Sequence, residues 1–322
     1  IEIGGFIHGG LHFGKALPLI RNSVSVGASN LHFCGLLLPS GELAPYTLIH
    51  RCWQTHREGM MHTIRTPAVA GLFYSANAME LHTQVQRFLS QVKPSVELPP
   101  KAMIVPHAGY IYSGPVAASA YARLKMAHDM IHRVVLLGPS HRVGFRGIAV
   151  SDMVAFATPL GQVPLDRALV KQAKALPDVS VLEQAHTQEH SLEVHLPFLQ
   201  EVLGEFTLVP LVVGDAKPLE VGAVLEALWG GAETLIVISS DLSHYHDYQA
   251  ARVLDDATSK AIEALRFEDI GYEQACGRNP VNGLLWVARR KGLHGETIDL
   301  RNSGDTAGPR DQVVGYGAYV FH

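Results

Sequence analysis

Three unbroken apolar runs constrain this chain most: Val134-Val-Leu-Leu137, Leu208-Val-Pro-Leu-Val-Val213 and Leu235-Ile-Val-Ile238. A strand with one wet face alternates apolar and polar side chains, whereas strands of a parallel sheet covered on both faces do not. The segments between the runs carry helical periodicity. Residues 78–92, for example, place Leu81, Val85, Phe88, Leu89 and Val92 on one stripe. Apolar strands alternating with helices imply an α/β fold: a three-layer sandwich with a mixed, mostly parallel central sheet, and late antiparallel strands at 296–301 and 313–321.

Further helices are expected at 115–124, 166–176, 191–203 (bent or divided by Pro197), 218–228, 248–265 and 281–291. Residues 1–60 hold only seven charged side chains and show neither period 2 nor period 3.6. We expect them to be a non-native or poorly ordered extension, and residues 61–322 to be a single domain. With 47% hydrophobic residues, 17% charged residues and a formal charge of −4, the chain suits a protein with a large core. No Lys/Arg block interleaved with aromatics points to nucleic acid, and no apolar run approaches the roughly 18 residues of a membrane span. Three cysteines, Cys34, Cys52 and Cys276, do not form a disulfide framework, so a reducing cytoplasm is the expected setting.

Three apolar runs end alike, in Val105-Pro-His107, Leu137-Gly-Pro-Ser-His141 and Ile238-Ser-Ser-Asp-Leu-Ser-His244. Open α/β sheets bind ligands beyond the carboxyl ends of their strands. Histidines delivered there can converge, and imidazole serves both as metal ligand and as proton carrier near neutral pH. Cys276 lies just before a helix, where the dipole and Arg278 would favour a thiolate; the other reading is a small buried apolar residue. Two His and one Cys suit Fe(II), copper or zinc and leave coordination positions open. In Glu189-His-Ser-Leu-Glu-Val-His195, helical spacing puts His190 and Glu193 on one face and turns His195 away, with a carboxylate of this segment expected to orient a liganding histidine. Asp241, three residues before His244, is the better candidate for an acidic or orienting group.

Taken together, Ala70-Gly-Leu-Phe-Tyr74, Pro106-His-Ala-Gly-Tyr-Ile-Tyr-Ser-Gly114, Gly138-Pro-Ser-His141, Glu189-His-Ser-Leu-Glu-Val-His-Leu-Pro197, Ser240-Asp-Leu-Ser-His-Tyr245 and Cys276-Gly-Arg278 resemble the Memo family over residues 64–322. Prokaryotic members of that family are called AmmeMemoRadiSam system protein B. The resemblance implies a fold similar to class III extradiol dioxygenases of the LigB type. It also implies a metal pocket formed by His107, His141 and Cys276, with the thiolate in place of the dioxygenase carboxylate. His244 would act as acid/base with Asp241 beside it, and His190, Glu193, His195, Tyr112, Phe73 and Arg278 would surround the ligands or line the cleft. Iron or copper is the expected ion and zinc the further choice.

Three functions stay open. One is a metal-dependent oxidoreductase, dioxygenase-like, acting on a small molecule. Another is a non-catalytic protein binding a ligand or peptide in the same cleft, and the third is a zinc hydrolase. A functional link to AMMECR-type and radical SAM proteins is implied by the family's name.

Overall fold

The computed structural model describes residues 64–93 and 98–322. The extension expected at residues 1–60, together with Cys34 and Cys52, lies outside the described residues. Residues 62–322 form one compact unit. A two-residue strand, β1 (Ile64–Arg65), leads to helix α1 (Ala78–Ser90), which starts where the Asn77 side chain accepts the N–H groups of Met79 and Glu80. Leu81, Val85 and Leu89 form its buried stripe. The chain continues through β2 (Ala102–Val105), α2 (Tyr110–Tyr121), β3 (Arg133–Pro139), β4 (Ile148–Val150), the hairpin of β5 (Ala155–Thr158) and β6 (Gly161–Pro164), α3 (Arg167–Lys174), β7 (Val179–Val181) and α4 (Glu183–Thr187). Next come α5 (Leu196–Val202), β8 (Thr207–Val213), α6 (Pro218–Ala227), β9 (Thr234–Ser239), β10 (His244–His246), α7 (Tyr248–Glu263), α8 (Arg278–Lys291), β11 (Gly295–Asn302) and β12 (Val313–Phe321).

The main sheet has the order β10-β12-β2-β9-β3-β8-β4-β7, with β11 also paired to β12. Strands β2, β9, β3 and β8 run parallel. Strand β12 is antiparallel to β2, and β4 to β8. A small second sheet joins β1, β5 and β6. Alternate residues of one strand serve two cores. Met103 and Val105 pack with Leu81, Val116 and Phe198 of α1, α2 and α5, whereas Ala102 and Ile104 pack with Val221, Ile262 and Leu284 of α6, α7 and α8. Both faces are therefore dry, as the unbroken apolar runs require, and the fold is a three-layer α/β sandwich. Among the described residues no helix is long and apolar enough to cross a membrane.

Two helices begin earlier than their prolines suggest. Helix α2 starts at Tyr110 and carries Pro115 in its interior. A residue before proline resists the helical region largely through its Cβ, and Gly114 has none. Helix α8 starts at Arg278, so Pro280 falls in the first turn, where its missing N–H would have had no partner. The helix expected over 191–203 forms only from Leu196, after a 3-10 turn at Glu193–His195, and Pro197 sits in its first turn rather than bending it.

Where β3 ends, the backbone passes so close to the next segment that Gly138 is required: a Cβ there would lie 2.8 Å from Ser191 Oγ and 2.9 Å from Leu192 Cδ2. We expect Gly138→Ala to cost about 1–3 kcal/mol by overpacking, read as a lower urea midpoint. An unchanged midpoint would contradict this close approach.

Candidate metal centre

Neighbouring parallel strands place the key groups level with one another. In register, Val105 of β2 lies beside Ser239 of β9, and Ile238 beside Leu137 of β3. His107 follows β2 by two residues, and His141 follows β3 by two. Ser239, ending the strand between them, fixes the first imidazole. Its hydroxyl donates to the Ser191 carbonyl at 2.5 Å, so it must accept from His107 Nδ1–H at 2.6 Å. That tautomer leaves the Nε2 lone pair of His107 available, facing Cys276 Sγ. His107 is buried, and its backbone N–H donates to Asp241 Oδ1 at 2.7 Å.

Glu189 fixes the second imidazole. His141 Nδ1–H donates to Glu189 Oε1 at 2.8 Å and its backbone N–H to Oε2 at 2.6 Å, so His141 also offers Nε2. Glu189 accepts the N–H groups of His190 and Ser191 as well. Burial raises its pKa, but the His141 contact and these N–H groups outweigh that and hold it at about 2. His190 is the third member. Ligand atoms of His107, His141 and His190 all lie within 4.8 Å of one another. His190 stacks on His141 with ring centroids 4.5 Å apart, and Phe73 packs on it at 4.8 Å. The buried Nδ1 of His190 stands 3.3 Å from Glu189 Oε1 but makes no hydrogen bond. Burial and then the neighbouring imidazoles push His107 well below 6.5 and His190 to about 4, which keeps both in the neutral, ligating form.

Cys276, two residues before α8, approaches His107, but the ligand atoms that lie within 4.8 Å of one another are those of His107, His141 and His190; His190 thus stands where the sequence led us to expect Cys276 as the third member of the group. A Cβ on Gly277 would lie 2.5 Å from the Ser239 carbonyl, so only glycine lets the start of α8 approach the end of β9 this closely. Cys276 Sγ stands 3.4 Å from His107 Nε2 and 3.7 Å from the Asp241 carbonyl. The sequence suggested a thiolate favoured by the helix start and Arg278, but burial, followed by the Asp241 charge, pushes this thiol up to about 12. The Arg278 guanidinium lies over the Tyr272 ring, 3.4 Å from the centroid.

Asp241 is buried, with Oδ2 4.0 Å from His107 Nε2, and burial raises its pKa to about 6 against the pull of His244 and the His107 N–H. His244 Nδ1–H donates to the Leu242 carbonyl at 2.8 Å, leaving its Nε2 free. Next to it, exposed Tyr245 holds a left-handed φ of 61°. Tyr112 and Phe73 line a cleft of about 1000 Å³ beside the histidines, rimmed by exposed Leu72, Met79 and Ile111. Glu193 and His195 turn away from the three rings. Glu193 accepts from Arg65, Ala68, Val69 and Tyr74, while His195 Nδ1 contacts the Tyr121 hydroxyl at 2.9 Å. The carboxylate of segment 189–195 expected to orient a liganding histidine is Glu189, through His141 Nδ1, whereas nothing in the spacing singles out Ser191 or Ser239. Their only signal was their place in the same two motifs as His190 and Asp241.

A family model described as Memo-like protein matches residues 65–320. A MEMO1 family protein of Aquifex aeolicus is 38% identical over 269 residues, covering 80% of this chain and 99% of that protein. One of Sulfolobus acidocaldarius is 33% identical over 277 residues, 79% and 97% of the two chains. Another, of Pyrobaculum arsenaticum, is 33% identical over 289 residues, 80% and 99%.

Buried neutral histidines make the fold acid-sensitive. Burial lowers His186 and His195 to about 3. Their folded pKa lies below the unfolded value, so their contribution is intact above about pH 6.5 and is lost as pH falls toward 3. Each costs about 2 kcal/mol at pH 5. Asp241, shifted upward, offsets about 1 kcal/mol of this between pH 7 and 5. In chelator-treated protein, we expect the stability lost between pH 7 and 5 to shrink by about 2 kcal/mol in His195→Gln. Urea unfolding checks this, and an identical loss in wild type and variant would contradict it.

Proposed function

The chain belongs to the Memo family, and from that membership and the geometry above we propose that it is a transition-metal protein. His107 and His141 would hold the ion through Nε2, with His190 and Cys276 completing the donor set. One observation carries this reading: hydrogen bonds to Ser239 and Glu189 lock two imidazoles with their free nitrogens toward a shared pocket. The sulfur supports it further. Ligand bonds of about 2.05 Å to nitrogen and 2.3 Å to sulfur place those atoms about 3.5 Å apart around a tetrahedral ion, close to the 3.4 Å between His107 Nε2 and Cys276 Sγ. A thiol held near pKa 12 becomes a thiolate only with a cation at hand. Imidazole and thiolate donors favour iron, copper or zinc over Mg²⁺ or Ca²⁺.

Bound there, such an ion supplies Lewis acidity and, for iron or copper, electron exchange at open positions. The chain's own residues supply the rest. Asp241, raised to about 6, is largely ionised at pH 7 and takes up a proton as the pH falls below that value, and His244, oriented by the Leu242 carbonyl, presents Nε2 as a hydrogen-bond acceptor. The substrate would be a small molecule. The large cleft with its apolar rim favours a second reading, in which the same face binds a ligand or peptide without turnover.

Protein purified without oxygen should contain close to one iron, copper or zinc per chain by mass spectrometry. His107→Ala and His141→Ala should lose it, and Glu189→Gln should weaken binding by about 10–100-fold. No ion under any loading condition would leave only the binding reading. Oxygen uptake with a catechol panel then separates redox chemistry from a redox-inert ion.

A further inference from the structure

We propose that Arg65 is a positioning residue for this centre, acting through the segment 186–193 without touching any of the proposed ligands. The inference rests on the metal reading above. Arg65 belongs to the two-residue strand β1, paired to β5 through Ile64↔Ala155 and Arg65↔Phe156. Its guanidinium is buried and lies over the Phe156 ring, 5.0 Å from the centroid. Three nitrogens of that one planar group each reach a different acceptor on a single short stretch. Nε donates to the His186 carbonyl at 2.7 Å, Nη2 to the Glu189 carbonyl at 2.6 Å and Nη1 to Glu193 Oε2 at 2.7 Å.

Groups that orient or form the centre lie on the residues between those three contacts. Glu189 holds His141, His190 supplies the third ring, and the Ser191 carbonyl receives the hydroxyl that fixes His107. Residues 188–192 belong to no helix or strand, so no ladder of backbone bonds holds them in place. A rigid fork spanning three acceptors does so instead. The grip extends around the turn: Glu193 also accepts from Val69 and the Tyr74 hydroxyl, and Phe73 between them packs on His190. Lysine at this position would keep the charge opposite Glu193 but could not reach both carbonyls at once.

The test compares Arg65→Lys with Arg133→Lys in the full chain. Arg133 is a control whose ion pairs with Asp166 and Glu233 lie at the opposite end of β3. Two readouts are needed. One is Co²⁺ binding, followed by affinity and by the visible absorption bands of the ion. The other is the tautomer of His141, read by nitrogen NMR in protein stripped of metal. We expect Arg65→Lys to remain folded by circular dichroism, to bind Co²⁺ at least about tenfold more weakly with shifted bands, and to lose the pure Nδ1–H tautomer of His141. Wild-type affinity, bands and tautomer in Arg65→Lys would overturn the proposal, as would an equal loss in Arg133→Lys. Should wild-type protein bind no Co²⁺, the metal reading fails, and the tautomer, which needs no ion, still decides whether Arg65 sets His141.

Discussion

A carboxylate shut away from water must gather donors, and Glu189 gathers four: the ring and backbone of His141 and the N–H groups of His190 and Ser191. That one group ties the end of β3 to an irregular turn some fifty residues later in the chain. Removing it would strand the buried Ser191 N–H and the partly buried N–H groups of His141 and His190 as well as freeing an imidazole, and an unmet buried donor is costly. The Ser239 hydroxyl does the same for β9 and His107, using the carbonyl of Ser191 in the same turn. Orientation of both histidines thus traces to one stretch of five residues. Arg65 clamps that stretch from behind.

The sheet makes this economical. With β9 seated between β2 and β3, and all three parallel, their carboxyl ends lie side by side, and short loops suffice to bring His107, Ser239 and His141 together. Helix α8 then brings Cys276 in from the other layer, through the one point where Gly277 allows the backbones to touch. The rigid parts are buried on both faces. The chemistry sits in loops at their ends, where small polar residues can be spaced as the site demands.

How much of this was legible in the sequence follows from the physics of each piece. The central strands were plain, since six consecutive buried positions in β8 leave no polar alternation to confuse them with edge strands. His107 and His141 were legible because Pro and Gly end their strands within a few residues of each. His190 was not, because residues 189–195 were read with helical spacing, and the turn they form obeys no period. For Cys276 the sequence left a thiolate and a buried neutral thiol both open: a helix start favours a thiolate by a modest amount, and burial, invisible in one dimension, outweighs it. Strands β1, β5 and β6 hold two to four residues each, too few for any periodicity to register.

The distances along the chain between partners that touch have a consequence for when the pocket comes into being. His107 and Cys276 are 169 residues apart, and Arg65 and Glu193 are 128. Contacts closed across such spans form late in folding, after the loops between them have surrendered their freedom. A nascent chain emerging from the ribosome displays its histidines one or two at a time, a poor trap for any cation. On the proposed reading, an ion held by the histidines together with the sulfur would be acquired only once the last helix has docked, so its loading would be a separate event from synthesis.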